Sequence, residues 1–333
     1  MHPAFKKMID FNRANPDAKD VYKKMQAWAI KNPQAGVFCP AQQLFSMSAK
    51  MAQLIVMGSK NKNNPLDLDA IRYFYGLHLF GAWRNTLGIY VLNPDIAESV
   101  LQSPIPNDTP VSIFNHLPEW CIYLELPKGL TTLKSGNTTT DLLGFWALFD
   151  WQKGKKVLNL VPNLDDGLDI SYTQLHPISI VIDDGLTVEQ AVRKTYSTAM
   201  GDGIATNIFM QTDYKMATSL LSALLWLCVE EPDISNVIGE PVSRSELSKP
   251  KHTQHPKTGV FIVPSEPTIY KIGERLGGEI RTFNQQITES DKTRKPSRKR
   301  PHIRRGHWHG YWYGSGQAKE FKVKWLPAMF VNA

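Results

Sequence analysis

The sequence predicts an α+β protein: a helical N-terminal region, a central antiparallel sheet, and a C-terminal helix followed by a basic β-hairpin. Three observations carry this prediction. Apolar residues recur at helical spacing over roughly the first 90 positions. From about Asp108 they give way to short runs rich in β-branched and aromatic residues, bounded by turn formers. The tail then alternates aromatic rings with cations. The same changes of texture mark three regions: 1–107, helical; 108–212, antiparallel strands with a helix; and 213–333, a buried helix and the hairpin.

Taken in order, Asn15-Pro16-Asp17 is a helix start, with Asn at the cap, Pro at the first helical position and an acid in the first turn. Val21, Met25 and Trp28 follow at helical spacing, and Asn32-Pro33 closes the helix. A second helix is expected over Gln42–Met57. Asn64-Pro65 opens a third, striped by Leu68, Ile71, Tyr75, Leu79 and Ala82. Strands are expected at Trp120–Leu126, Leu142–Trp151, Val157–Val161 and Pro177–Ile182, the middle two joined by the turn QKGKK. Thr187 with Gln190 is a capping box. Met216, Leu220, Leu224 and Leu227 mark a buried helix that Pro232 stops. Glu240–Pro264 reads as a long surface loop. Ser265–Leu276 reads as a short helix ended by Gly277-Gly278.

Composition excludes several classes. Three widely spaced cysteines without a CxxC argue against a disulfide scaffold or zinc knuckle and fit a reducing cytoplasm. The N-terminal stretch MHPAFKKMIDFNR lacks the apolar core of a signal peptide. The most apolar run, Met216–Val229, is too short to span a bilayer.

Charge is distributed unevenly. The chain has 38 Lys and Arg against 31 Asp and Glu. Eight of these cations, Lys292, Arg294, Lys295, Arg298, Lys299, Arg300, Arg304 and Arg305, lie between 292 and 305 with no acid among them; without them the balance is 30 against 31. The excess is thus one segment on a near-neutral body, the electrostatic footprint of a polyanion-binding element. The segment RGHWHGYWY follows. As a strand it puts Arg305, His307, His309, Tyr311 and Tyr313 on one face, and Trp308, Gly310 and Trp312 on the other. The strand FKVKW adds Lys322 and Lys324 to the first face, and Phe321, Val323 and Trp325 to the second. An exposed face of rings and cations suits single-stranded RNA, since every base offers a surface for stacking. The nucleic-acid-binding candidates are therefore Arg298, Lys299, Arg300, Arg304, Arg305, His307, His309, Tyr311, Tyr313, Lys322 and Lys324.

No catalytic residue is assigned. His307 and His309, beside Arg305 and Tyr311, have the chemistry to cleave RNA through its 2′-hydroxyl without a metal, which leaves a metal-independent endoribonuclease as an alternative. No metal and no cofactor are expected: no cysteine or aspartate adjoins these histidines, and the local field opposes a cation. Asp165-Asp166-Gly167-Leu168-Asp169 lacks the remaining ligands of a calcium loop. Neither Gly201-Asp202-Gly203 nor Gly314-Ser315-Gly316 continues as a phosphate loop. His78 reads as an interior histidine, Cys121 and Cys228 as buried thiols, and Trp83-Arg84-Asn85 as a cation–π or capping arrangement.

Several blocks together resemble a known family. They are AKDVYKKMQAW (18–28), GAWRNTLGIY (81–90), LLWLCVEEPDI (224–234), PVSRSEL (241–247), PSEPTIYKIGERLGGEIR (264–281), KRPHIRRGHWHGYW (299–312), GQAKEF (316–321) and FVN (330–332). They look like the second kind of type V-A anti-CRISPR protein, found on phages and mobile elements, and only about 125–215 matches poorly. The resemblance implies an inhibitor that acts in the host cytoplasm and lowers production of the type V-A nuclease, Cas-twelve-a. It implies recognition of the nuclease's N-terminal peptide as it emerges during translation, followed by loss of the message. The implied partners are that peptide and RNA or the translating ribosome, with no membrane. Trp83, Arg84, Tyr90, Arg244 and His252 are the candidates for the peptide surface. A generic phage nucleic-acid-binding protein is the further alternative.

Overall fold

The computed structural model describes residues 1–33, 36–50, 68–135, 138–165, 178–199, 204–291, 302–304, 306–315, 319–327 and 329–331. In chain order the principal elements begin with α1 (Pro3–Ala14), α2 (Ala18–Lys31), α3 (Leu68–Trp83), β1 (Gly88–Leu92) and α4 (Pro94–Gln102). Next come β2 (Cys121–Glu125), β3 (Thr132–Ser135), β4 (Thr138–Gln152), β5 (Lys155–Leu164), β6 (Ile178–Val181), α5 (Val188–Ala199) and α6 (Ile204–Leu224). The chain ends with β7 (Ile234–Asn236), β8 (Thr253–Gln254), β9 (Phe261–Ile262), β10 (Thr268–Ile272), α7 (Glu274–Asp291), β11 (His302–Arg304), β12 (His307–Tyr313), β13 (Glu320–Leu326) and β14 (Met329–Val331). It divides into two compact units, each built from three stretches: 1–90, 119–181 and 248–269 form unit one, and 91–118, 182–247 and 270–333 form unit two.

Unit one carries the strand order β6-β5-β4-β2-β1. β2 and β4, β4 and β5, and β5 and β6 all pair antiparallel. The turn at Lys153-Gly154 puts both residues at positive φ (49° and 75°), the primed geometry that matches strand twist in a two-residue hairpin loop. Aromatic rings fill the core: Trp146 lies 4.9 Å from Tyr123 and 5.8 Å from both Phe80 and Trp83, centroid to centroid. His78 is interior, as its place in the stripe suggests. Its Nε2 lies 3.7 Å from buried Asp150, and burial pushes its pKa down while Asp150 opposes the shift. Asp150 Oδ1 accepts from the backbone N–H of Ala41 (2.9 Å) and Trp151 (2.7 Å).

Unit one adds one helix to the sequence expectations and changes two of them. The first twelve helical residues, α1, have no start signal of the usual kind; His2 caps them through Nδ1, which accepts from Ala4 N. Asn15 closes α1, its side chain donating to Phe11 O (2.9 Å), and does not open α2; Asp17 stands at the α2 cap without a capping bond and accepts from the Tyr73 hydroxyl. Of the helix expected over Gln42–Met57, the described part is a 3₁₀ turn at Ala41–Gln43, a short helix at Leu44–Met47 and helical residues at 49–50. Residues 51–67, with the Asn64-Pro65 start, lie outside the described residues.

In unit two β10 and β7 pair antiparallel, and the unit also holds the helices α4 to α7. The capping box at α5 is formed reciprocally: Thr187 N donates to Gln190 Oε1 (2.9 Å), and Gln190 N donates to Thr187 Oγ1 (3.3 Å). The helix expected over Ser265–Leu276 is instead β10 followed by α7. The alternating TIYKI takes the strand, and Gly277-Gly278 lie inside α7. At Gly277 any β-carbon would stand 2.4 Å from Asn93 Oδ1, so the glycine permits close packing and does not terminate the helix. Among the described residues no helix is long and apolar enough to cross a membrane. The three cysteines are free and buried, and burial pushes the Cys39 and Cys228 thiols up to about 12, so they are inert.

Candidate nucleic-acid interface

The tail hairpin forms in the expected register. β12 and β13 pair antiparallel, with Trp308 opposite Trp325, His309 opposite Lys324, Gly310 opposite Val323, Tyr311 opposite Lys322 and Trp312 opposite Phe321. β11 and β14 pair beyond its open end, with His302 opposite Val331. One face roots the hairpin in unit two. Trp308 and Trp325 are buried with ring centroids 5.0 Å apart, and both lie against Trp226, at 5.5 and 5.7 Å. Trp308 Nε1 donates to Ser222 Oγ (2.9 Å), and Ser222 donates onward to Val100 O (2.6 Å). The indole is thus both packed and satisfied, as a buried tryptophan requires. Gly310 has no room for a side chain, since a β-carbon there would meet Phe321 at 2.4 Å.

Trp312 departs from the inward placement that alternation predicts. It is 50% exposed, packs edge-on against Phe321 (5.1 Å) and donates from Nε1 to Asp108 (3.2 Å). The strand keeps its alternation, but by Trp312 it has left the apolar floor set by Trp226.

The other face presents rings. His309 stacks toward Tyr311 (6.1 Å, 30° between planes), and Tyr311 lies 5.7 Å from Tyr313. His309 and Tyr313 are exposed, while Tyr311 and His307 are half-buried. Lys324 is exposed. Lys322 is engaged: its Nζ is 2.7 Å from Glu230 and 5.0 Å from the Tyr313 ring centre, and the bond to Glu230 holds its pKa above the usual lysine range. The cations Arg298, Lys299, Arg300 and Arg305 lie outside the described residues; of Arg304 only the backbone, in β11, is described. Among the described residues no group of three or more His, Cys, Asp or Glu is placed to hold a metal.

The peptide candidates are dispersed. Trp83 and Tyr90 are fully buried in unit one and offer no surface in this conformation, because both belong to its aromatic core. Arg84 lies over the Tyr22 ring at 4.9 Å, and Asn85 donates to Gly81 O (2.8 Å), so WRN is both the cation–π and the capping arrangement. Arg244, in unit two, donates to the carbonyls of Val229 and His116 (2.5 and 2.6 Å). His252, in unit one, is half-buried between Trp120 (5.3 Å) and Phe261 (4.3 Å), and burial pushes its pKa down. One residue with no sequence signal stands out in the same unit: Glu119. The residue is half-buried, but both its carboxylate oxygens are sealed and without a hydrogen-bond partner. Burial pushes its pKa up to about 8 against the opposing charge of Lys251.

Comparison with curated proteins gives no match. A crystal structure of AcrVA2 is similar over 100% of this chain and 100% of that chain, at 38% identity and a TM-score of 0.78. The family described as AcrVA2-like, anti-CRISPR type V subtype A2, matches residues 90–333, which include the whole of the ring-and-cation hairpin. Its extent, with the full-length structural likeness, places the chain in the AcrVA2-like family of anti-CRISPR proteins.

Proposed function

We propose that this anti-CRISPR protein lowers production of the type V-A nuclease Cas-twelve-a. It does so by binding the nuclease's N-terminal peptide during synthesis and causing loss of its message, with the tail hairpin facing RNA or the ribosome. The observation that supports the RNA-facing part is the outer row of His309, Tyr311 and Tyr313. These rings stand on a rooted strand, partly or wholly open to solvent, beside exposed Lys324 and next in sequence to the eight-cation run. Stacking on such a row tolerates any base, and the cations track the phosphates.

Titration of the purified chain with a labelled single-stranded RNA, repeated over a range of salt, tests this. Arg304→Gln and Arg305→Gln each weaken binding and reduce the log–log salt slope by about 0.7. An unchanged slope in both removes the hairpin from the interface. In cells, synonymous recoding of the nuclease's first codons leaves message loss intact, whereas changing the encoded peptide abolishes it. The opposite pattern refutes peptide recognition. Cleavage of naked message by the purified chain would reassign His307 and His309 from binding to catalysis.

A further inference from the structure

Unit one holds an acid that its fold does not use. Glu119 sits at the entry to β2, and the β1 backbone at Gly88 comes so close that a β-carbon there would lie 2.4 Å from Oε2. Neither carboxylate oxygen has a hydrogen-bond partner, although both are sealed from solvent. Sealing a carboxyl away without a partner is costly, so a group held in this way calls for an explanation. The next residue, Trp120, opens a short aromatic row. Trp120 is stacked on His252 (5.3 Å, 28° between planes), Phe261 is tilted against His252 (4.3 Å, 33°), and Phe38 stacks on Trp120 (5.3 Å). His252 Nδ1 is likewise sealed and without a partner. Next to Phe261, Val260 and Ile262 are 45% and 54% exposed.

A buried, unpartnered carboxyl that a bound cation would ionise, ring faces and exposed aliphatic side chains together match a cation carried on an apolar stem. Lysine and arginine side chains have that form: the stem lies along rings and aliphatics while the head meets the carboxylate. We propose that Glu119, Trp120 and His252 form a subsite for one basic side chain of the bound peptide. This rests on the peptide-recognition reading above.

Calorimetric titration of the full chain with a synthetic peptide of the nuclease's N-terminal residues tests it. The peptide is used as such and with each Lys or Arg replaced in turn by norleucine. One replacement weakens binding about tenfold or more, as loss of a charge-assisted hydrogen bond does. Glu119→Gln weakens binding of the unmodified peptide to the same degree, and the two changes together cost no more than either alone. Lys251→Met, which removes the competing cation, tightens binding. The norleucine series and Lys251→Met keep the test valid if Glu119→Gln disturbs folding. If the wild-type chain binds the peptide but Glu119→Gln binds it equally well, or if no single replacement matters, the subsite is wrong and peptide recognition stands. If the wild-type chain binds no version of the peptide, the peptide reading falls and takes the subsite with it.

Discussion

The tail hairpin of unit two and the Glu119 recess of unit one combine rings and charge in opposite senses. In the hairpin the anchoring rings Trp308 and Trp325 are inside, and the cation Lys324 is outside. In the recess the carboxylate oxygens are inside, and the rings of Trp120 and His252 are left half-open. A charge in water costs the fold little, so many can accumulate, and they do so as a run visible in the sequence. A charge sealed in protein is costly, so it occurs singly and leaves no pattern. The two regions therefore respond to different perturbations.

The largest effect is expected at the hairpin's root. Trp308→Ala removes a buried indole that contacts two other tryptophans and takes away the donor to Ser222 Oγ, whose own bond to Val100 O remains. Large-to-small changes of this kind cost about 3–5 kcal/mol, and urea unfolding followed by circular dichroism reads the loss. A loss near zero would mean that the hairpin is not rooted in the core.

The recess should show itself through pH. The Glu119 carboxyl is raised from 4.5 to about 8 in the folded chain. Between those values the folded state holds a proton that the unfolded state has released. Stability from this group is thus fully present below about pH 4.5 and is lost as pH rises to about 8. The slope cannot exceed about 1.4 kcal/mol per pH unit. Glu119→Gln, neutral at every pH, flattens that part of the stability profile. A profile identical to the wild type over pH 5–8 would mean that the carboxyl is ionised and compensated.

Local rules made much of the fold legible. The Thr187–Gln190 box, the Lys153-Gly154 turn and the alternation of HWHGYWY against FKVKW each state their geometry within a dozen residues. What escaped depends on contacts between residues distant in sequence. Nothing in TIYKIGERLGG says that Gly277 must clear Asn93, so the glycine pair read as a helix end. His2 is an unusual cap, so α1 went unseen. Trp83 and Tyr90 looked like surface aromatics because the core they fill is assembled from β2 and β4, some 30 to 60 residues further on. Glu119 is a lone acid after Pro118, and only the three-dimensional approach of β1 shows that it lacks a partner.

On the hairpin's outer face the expected losses are in affinity and not in folding. Tyr311→Ala and Tyr313→Ala each remove a stacking platform, worth about 1–3 kcal/mol per base for single strands. Tyr313 is 59% exposed, so its removal leaves the unfolding midpoint nearly unmoved. Fluorescence anisotropy with a short RNA, run beside a urea melt, separates the two quantities. A fall in stability without a fall in affinity would make the outer rings structural and erase the contrast with the root.

The smallest effect sharpens the comparison within a single strand. Trp312 shares a face with Trp308 and is the same residue type four positions on, but it is half-exposed, and its indole donates to Asp108 at an exposed site and not into the core. An exposed hydrogen bond of this kind contributes about 1 kcal/mol or less, and the edge contact with Phe321 adds a comparable amount. Trp312→Ala is accordingly expected to cost about 1 kcal/mol in a urea melt, well below Trp308→Ala. A loss equal to that of Trp308 would show that the apolar floor extends to the hairpin tip, and that strand alternation alone, without the position of Trp226, decides which rings anchor it.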